Sequence, residues 1–157
     1  MDKGEQFLER NPKRDKVQMV PQHISDKKGL VAVDVTWGEI QTIQAADGIR
    51  TVGEREVIKQ LQNGLPVIDV RAPGTRNGIR IAGTKAIPIS DIVDRIDELN
   101  RSKPTIFFCN GPQCPQSQKA IHMLLKAGYP AEKMWYYRGG MHDWITLGLP
   151  VVKDSEF

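Results

Sequence analysis

The chain has 157 residues, enough for one compact domain plus an appendage to bury a core without disulfide or metal staples. With 39% hydrophobic and 26% charged residues the composition is that of an ordinary globular protein and excludes wholesale disorder. The net charge of +3, from 22 basic and 19 acidic residues, is spread without a block of like charges. Nucleic acid is therefore not expected as a partner, and no apolar run reaches the length of a membrane span.

Residues 1 to about 29 are polar, with scattered apolar positions at Phe7, Leu8, Val17, Met19, Val20 and Ile24, and read as a loosely structured extension. The opening MDKGEQFLERNPKRDK lacks the apolar middle of a signal peptide, so the expected location is the cytoplasm. LVAVDVTW, residues 30–37, alternates Val31, Val33 and Val35 in period two and predicts a strand, followed by an apolar pattern at Ile40 and Ile43. Residues 1–50 are taken as an N-terminal extension and 51–157 as the domain proper.

From residue 51 the pattern becomes regular. GEREVIKQLQNG predicts a helix with Val57, Ile58 and Leu61 on one face and Asn63-Gly64 as its stop, followed by the apolar strand PVIDV. A loop rich in Gly, Arg and Pro leads into the short run KAIPI. SDIVDRIDELN starts on a Ser/Asp cap and spaces Ile92, Val93, Ile96 and Leu99 as a helix does. TIFF predicts a buried strand. QSQKAIHMLLKAG predicts a helix with Ala120, Met123, Leu124 and Ala127 on its apolar face and Gly128 as its stop. KMWYY is a further strand and GGMHDWITLG a short closing helix. Strands separated by helices imply crossover connections, hence an α/β fold with a parallel sheet and helices on both faces. Ligands of such sheets bind beyond the carboxyl ends of the strands, which is where the loop after TIFF begins, at Cys109.

The chain has two cysteines, Cys109 and Cys114. That is no disulfide scaffold, and a zinc site built on one C-x4-C would need ligands from His23, His122 or His142, which lack H-x3-H spacing. Neither a metal nor another cofactor is expected. A thiol just before a helix start is a candidate nucleophile, because unpaired N–H groups and the helix dipole favour its thiolate. With Pro115 opening the helix, Cys109–Cys114 is a loop in which Gly111 permits close packing and the amides of Asn110, Gly111, Gln113, Cys114 and Gln116 are candidate donors; Pro112 and Pro115 donate nothing. The plainer alternative is a small buried residue closing a core strand. Cys114 is open to three readings: a resolving thiol that attacks a Cys109 persulfide, a guard against over-oxidation, or a small residue that lets the helix start pack.

The order PVIDVR, AGTKAIPI, IFFCNGPQC with S-x-x-A and LLKAGY, then WYYRGGMHDWITLGLPV resembles the rhodanese homology domain over residues 51–152. The closing R-G-G-x-x-x-W…G-L-P, with Gly139, Gly140, Trp144 and Pro150, is its most specific part. The resemblance implies a three-layer sandwich with a parallel five-stranded sheet, and a sulfurtransferase. Cys109 would take a sulfane sulfur from thiosulfate or a persulfide and pass it to cyanide, a thiol or a protein acceptor. Asn110, Gly111, Pro112, Gln113, Cys114 and Ser117 would form the active loop, with Asp69, Arg71 and Arg138 in support. The sequence departs from the family in lacking a Glu after DVR, in placing Arg80 where a His is usual, and in having no Arg in the active loop. Thiosulfate is then expected to be held weakly, by Arg71, Arg76, Arg80 and Arg138 from neighbouring segments, and a persulfide to be the better donor.

Other classes fit less well. A cysteine phosphatase needs C-x5-R, and the sixth residue after Cys109 is Pro115. Ser117, His142 and Asp143 lack the G-x-S-x-G elbow of a hydrolase. The remaining rival is a rhodanese-like module of low activity that binds a partner or senses redox state through Cys109 and Cys114.

Overall fold

The computed structural model describes residues 22–23, 31–32, 40–76 and 78–154. Its strands are β1 (Gln22–His23), β2 (Val31–Ala32), β3 (Arg50–Thr51), β4 (Val67–Asp69), β5 (Ile79–Arg80), β6 (Lys85–Ala86), β7 (Thr105–Phe108), β8 (Met134–Tyr137) and β9 (Val152–Lys153). The helices are α1 (Glu54–Gln62), α2 (Gln116–Lys126) and α3 (Gly140–Thr146). Strands β3, β8, β7, β4 and β6 form, in that order, a five-stranded sheet in which every pairing is parallel. Of the strand predicted at 30–37, Val31–Ala32 pairs antiparallel with Gln22–His23, and the rest lies outside the described residues.

Alternation along the strands sorts the core into two layers. Ile68, Val70, Phe107, Cys109, Met134 and Tyr136 pack with Ala120, Ile121 and Leu124 of α2 on one face. Val67, Ile106, Phe108 and Tyr137 pack with Val57 of α1 and Met141, Trp144 and Ile145 of α3 on the other. All four residues of β7 are buried, as suits a central strand covered on both faces. The Glu56 carboxylate accepts the Gly53 N–H at 3.0 Å, which satisfies one free donor at the start of α1.

Two expectations are corrected. SDIVDRIDELN forms a series of turns ending in the 3-10 segment Ile96–Glu98. Its β-branched residues and its aspartates, Asp91, Asp94 and Asp97, are weak helix formers, and Ile92 and Leu99 reach the core without a helix. In α2 the buried stripe is Ser117, Ala120, Ile121 and Leu124, and Met123 is exposed.

Ile79–Arg80 and Val152–Lys153 pair antiparallel, and the adjacent Asp154 N–H donates to the Gly78 carbonyl at 2.8 Å. The chain's end thus clasps the loop that follows β4. No helix among the described residues is long and apolar enough to cross a membrane.

Candidate active site

At the carboxyl end of the sheet three segments converge: the loop after β4, the Cys109–Cys114 loop between β7 and α2, and the turn into α3. The Asp69–Arg71 pair anchors the first. Both side chains are fully buried, with Arg71 Nη2 2.8 Å from Asp69 Oδ2 and Arg71 Nε 3.0 Å from Asp69 Oδ1. The rest of the guanidinium donates to the carbonyls of Arg76 (3.1 Å) and Ile79 (2.8 Å) and to Asn110 Oδ1 (3.4 Å). Asn110 Nδ2 in turn donates to the Thr75 carbonyl at 3.0 Å. A buried guanidinium is stable only with its donors satisfied, and here satisfying them ties two loops together.

The Gly139-Gly140 pair accounts for the third segment. The Met141 and His142 amides donate to the carbonyls of Cys109 (3.0 Å) and Asn110 (2.8 Å), so the start of α3 lies flat on the active loop. Gly140 has φ +55, and a Cβ there would collide with the Cys109 carbonyl oxygen and come within 2.9 Å of Gly111 N. A Cβ on Gly111 would stand 2.8 Å from His142 Cβ. Two backbones approach more closely here than any side chain permits.

Both cysteines are free thiols, with Cys109 1% exposed and Cys114 not exposed. Cys109 Sγ lies 2.9 Å from Ser117 Oγ, receives the Ser117 N–H at 3.3 Å, and approaches the Cys114 carbonyl oxygen at 3.4 Å. Pro115 caps α2, which begins at Gln116. The donors are divided between the two sulfurs, with Ser117 on Cys109 and Gln116 on Cys114. Gln116 Nε2 donates to the Cys114 sulfur at 3.3 Å, the Asn110 and Gln116 backbone favours its ionised form, and the Cys114 N–H closes a turn onto the Gly111 carbonyl at 2.9 Å. Gln116 is itself held, its Oε1 by the Ala72 N–H at 2.6 Å and its Nε2 near Thr75 Oγ1 at 3.2 Å.

The electrostatics follow this arrangement. Burial opposes ionisation of Cys114, but hydrogen bonds from the Cys109 thiol, the two amides and the Gln116 side chain outweigh it and bring the group down to about 6. Burial pushes the Cys109 thiol up, the bond it donates to Cys114 and the charge there push it further, and Ser117 offsets only part. The two thiols thus titrate as one pair that shares a proton, Cys114 the side drawn down and Cys109 the side pushed up. Tyr136 on β8 faces the same pair: burial and the Cys109 charge raise its phenol.

The arginines are largely engaged. Arg71 is committed to Asp69, and Arg76 Nε lies 3.0 Å from Asp154 Oδ2. Arg138, half-buried, donates from Nε and Nη2 to the Gln41 carbonyl at 3.1 and 2.8 Å. Gln41 belongs to a stretch, residues 40–46, that crosses this end of the molecule. The Gln41 N–H bonds the Pro112 carbonyl at 2.8 Å, Gln118 Nε2 bonds the Thr42 carbonyl at 2.9 Å, and His122 Nε2 lies 2.7 Å from the Ala45 carbonyl. Sequence reasoning named the Gln116 amide but missed its side chain, and it missed Gln41. Only the position of Gln116 in the first turn after the loop hinted at its part.

A parallel five-stranded sheet with a cysteine loop beyond a central strand defines a rhodanese-like α/β fold. The Rhodanese-like domain family model matches residues 54–147, and the chain belongs to that sulfurtransferase-type family. It is similar to an HTH-type transcriptional regulator of Mycobacterium tuberculosis, 28% identical over 136 residues that are 86% of this chain and 55% of that protein. The chain spans just over half the length of the curated relatives it matches. Among solved structures it is similar to a rhodanese-related protein from Thermoplasma volcanium, with a TM-score of 0.54 and 26% identity over 66% of this chain and 97% of that one. A thiosulfate sulfurtransferase from Pseudomonas aeruginosa shares the fold, with a TM-score of 0.58 and 22% identity over 71% of this chain and 21% of that one.

Proposed function

We propose that the protein is a sulfurtransferase that carries sulfane sulfur on Cys109 as a persulfide. The observation that carries this reading is the position of Cys109 beyond the end of β7, its sulfur within reach of the Ser117 hydroxyl and amide and of a second thiol drawn down to about 6. As Cys109 attacks, its proton passes to the Cys114 thiolate, and a Cys109 lone pair forms the bond to the outer sulfur of the donor. The donor's S–S bond breaks, and its electron pair leaves with sulfite when thiosulfate is the donor, or with a thiolate when a persulfide is. A thiophilic acceptor, cyanide or a thiolate, then attacks the outer sulfur and restores the Cys109 thiolate.

The engagement of Arg71, Arg76 and Arg138 with other groups favours a persulfide of a small thiol or of a protein over dianionic thiosulfate as the donor. The test is intact mass after exposure to thiosulfate or glutathione persulfide. Cys114→Ala is expected to gain the mass of one sulfur atom and Cys109→Ser none. Absence of gain on Cys114→Ala with either donor would sink the transferase reading and favour a binding or redox-sensing module.

A further inference from the structure

We propose that Cys114 is a second nucleophile of the site: it attacks the Cys109 persulfide at its inner sulfur, expels hydrosulfide and closes a Cys109–Cys114 disulfide. The domain then reduces sulfane sulfur as well as transferring it. This presupposes the Cys109 persulfide proposed above, and adds to it an activity that needs no external acceptor in the first turnover.

The geometry that points here is the placing of the donors. Cys114 sits in the buried apolar cluster, yet its Sγ also accepts from Gln116 Nε2 at 3.3 Å, a contact that space-filling alone does not call for. The Gln116 side chain is fixed for this by Ala72 N at 2.6 Å and Thr75 Oγ1 at 3.2 Å, on the loop after β4. The donors of the first turn of α2 are thus divided: Gln116 Nε2 serves the Cys114 sulfur while the Ser117 N–H serves Cys109. A terminal sulfur on Cys109 therefore meets, in the same loop, a second sulfur held by a fixed side-chain donor. Reach is not the obstacle. Cys109 Sγ lies 3.4 Å from the carbonyl oxygen of Cys114 itself, and the Cys114 N–H to Gly111 turn at 2.9 Å folds the loop back on Cys109. Disulfide closure asks that the two Cα atoms come within about 7 Å with their Cβ atoms facing each other.

The step balances. After loading, Cys109 bears –S–S⁻ and Cys114 holds the proton taken from Cys109. The Cys114 proton passes to the terminal sulfur, the Cys114 thiolate then donates an electron pair to the Cys109 sulfur, and the bond from there to the terminal sulfur breaks, that sulfur leaving with the bonding pair as HS⁻. Two thiols are oxidised to one disulfide while the sulfane sulfur is reduced by two electrons. Return to the resting state requires a dithiol reductant, which is oxidised to its own disulfide as the pair is reopened.

The experiment is a single turnover of the full chain, reduced, freed of reductant and kept anaerobic, with one equivalent of thiosulfate or, in a parallel arm, glutathione persulfide. The wild-type protein is expected to release one hydrosulfide per chain and to end with the mass of two hydrogens lost. Cys114→Ala is expected to keep the added sulfur and release none. Gln116→Ala retains both thiols and is expected to reach the wild-type end point about tenfold more slowly, through loss of one hydrogen bond to an anionic sulfur. A wild-type protein that keeps its added sulfur and releases no hydrosulfide, beside a Cys114→Ala variant that also gains sulfur, overturns the second nucleophile and leaves the transferase standing. No sulfur on either protein, and no hydrosulfide, overturns both.

Discussion

The two ends of the parallel sheet are built on opposite plans. At the amino end Arg50, Arg55, Lys59 and Lys103 surround an open depression of about 880 Å³ beside Trp135. The Arg50 guanidinium lies 4.8 Å over the Trp135 ring, and its ion pair with Glu56 spans 3.8 Å with the Arg50 side chain 58% exposed. At the carboxyl end Arg71, Asp69, Asn110 and both thiols are sealed from solvent, and the Arg71 guanidinium bonds both Asp69 and Asn110. Charge marks the first end, and burial of bonded polar groups marks the second. Water replaces a lost partner at the amino end and does not reach one at the carboxyl end, so the same kind of substitution has unequal effects.

The largest contrast is expected between Arg71→Ala and Arg50→Ala in urea unfolding. Removing Arg71 strands the Asp69 carboxylate and the Ile79 and Arg76 carbonyls in a dry interior, a loss of about 3–5 kcal/mol. Removing Arg50 takes away a solvated ion pair and a cation–π contact, together under about 1 kcal/mol. Equal losses would mean that burial does not separate the two ends.

Next in size is a pair of glycines. Gly64 and Gly140 both have positive φ, +66 and +55, but a Cβ on Gly64 meets nothing within 4 Å while one on Gly140 collides with the Cys109 carbonyl. Gly64→Ala is expected to lose about 1 kcal/mol, the backbone strain alone. Gly140→Ala adds overpacking, about 2–4 kcal/mol in all, and lifts α3 from the active loop. Thermal unfolding reads the stability, and sulfur uptake by Cys109 reads the displacement of the loop; uptake unchanged in Gly140→Ala would show that the loop does not depend on α3.

Much of this frame is legible in the sequence, for identifiable reasons. Strands β4, β7 and β8 are apolar runs covered on both faces, and α1 and α2 carry a helical period. The segment 90–100 misled because apolar residues at helical spacing also suit successive turns. The facing of α2 misled because its buried stripe starts with a polar residue, Ser117, turned toward Cys109, which an apolar pattern does not register. The position of Cys109 could be read from strand, loop and helix order. The resting place of the negative charge could not, since it depends on where the Cys114 side chain points and on a Gln116 bond to Ala72, 44 residues away.

The pH dependence tests that charge directly. Cys114 titrates at about 6 when folded against 9.0 ordinarily, so the folded state binds fewer protons between those values. Stability from this group is full above about pH 9 and is lost as pH falls through about 6. Cys109, raised above 9.0, acts in the opposite sense above that value. Sulfur uptake by Cys109 is expected to climb through about pH 6, as the base that takes its proton ionises. In Cys114→Ala the climb moves to higher pH, because Cys109 is still buried, beside the Tyr136 phenol, and has lost that base. Stopped-time mass spectrometry across pH reads both profiles, and coincident profiles would remove Cys114 from the proton transfer.

The smallest expected effect concerns residues 40–46, which lie ahead of the matched family region and hold the carboxyl end of the sheet by bonds resembling those of the open amino end. Arg138 grips the Gln41 carbonyl, Gln41 grips Pro112 in the active loop, and Gln118 grips Thr42. These donors are half-buried or exposed, so each bond contributes about 1 kcal/mol net and its loss raises local opening about fivefold. With both thiols nearly unexposed, a reagent reaches Cys109 only through such an opening. Arg138→Ala is therefore expected to speed labelling of Cys109 by a disulfide reagent about fivefold, Gln118→Ala by less, and neither to lower global stability by more than about 1 kcal/mol. A labelling rate that follows global unfolding instead would show that this segment is part of the core and that access to the sulfur runs by another route.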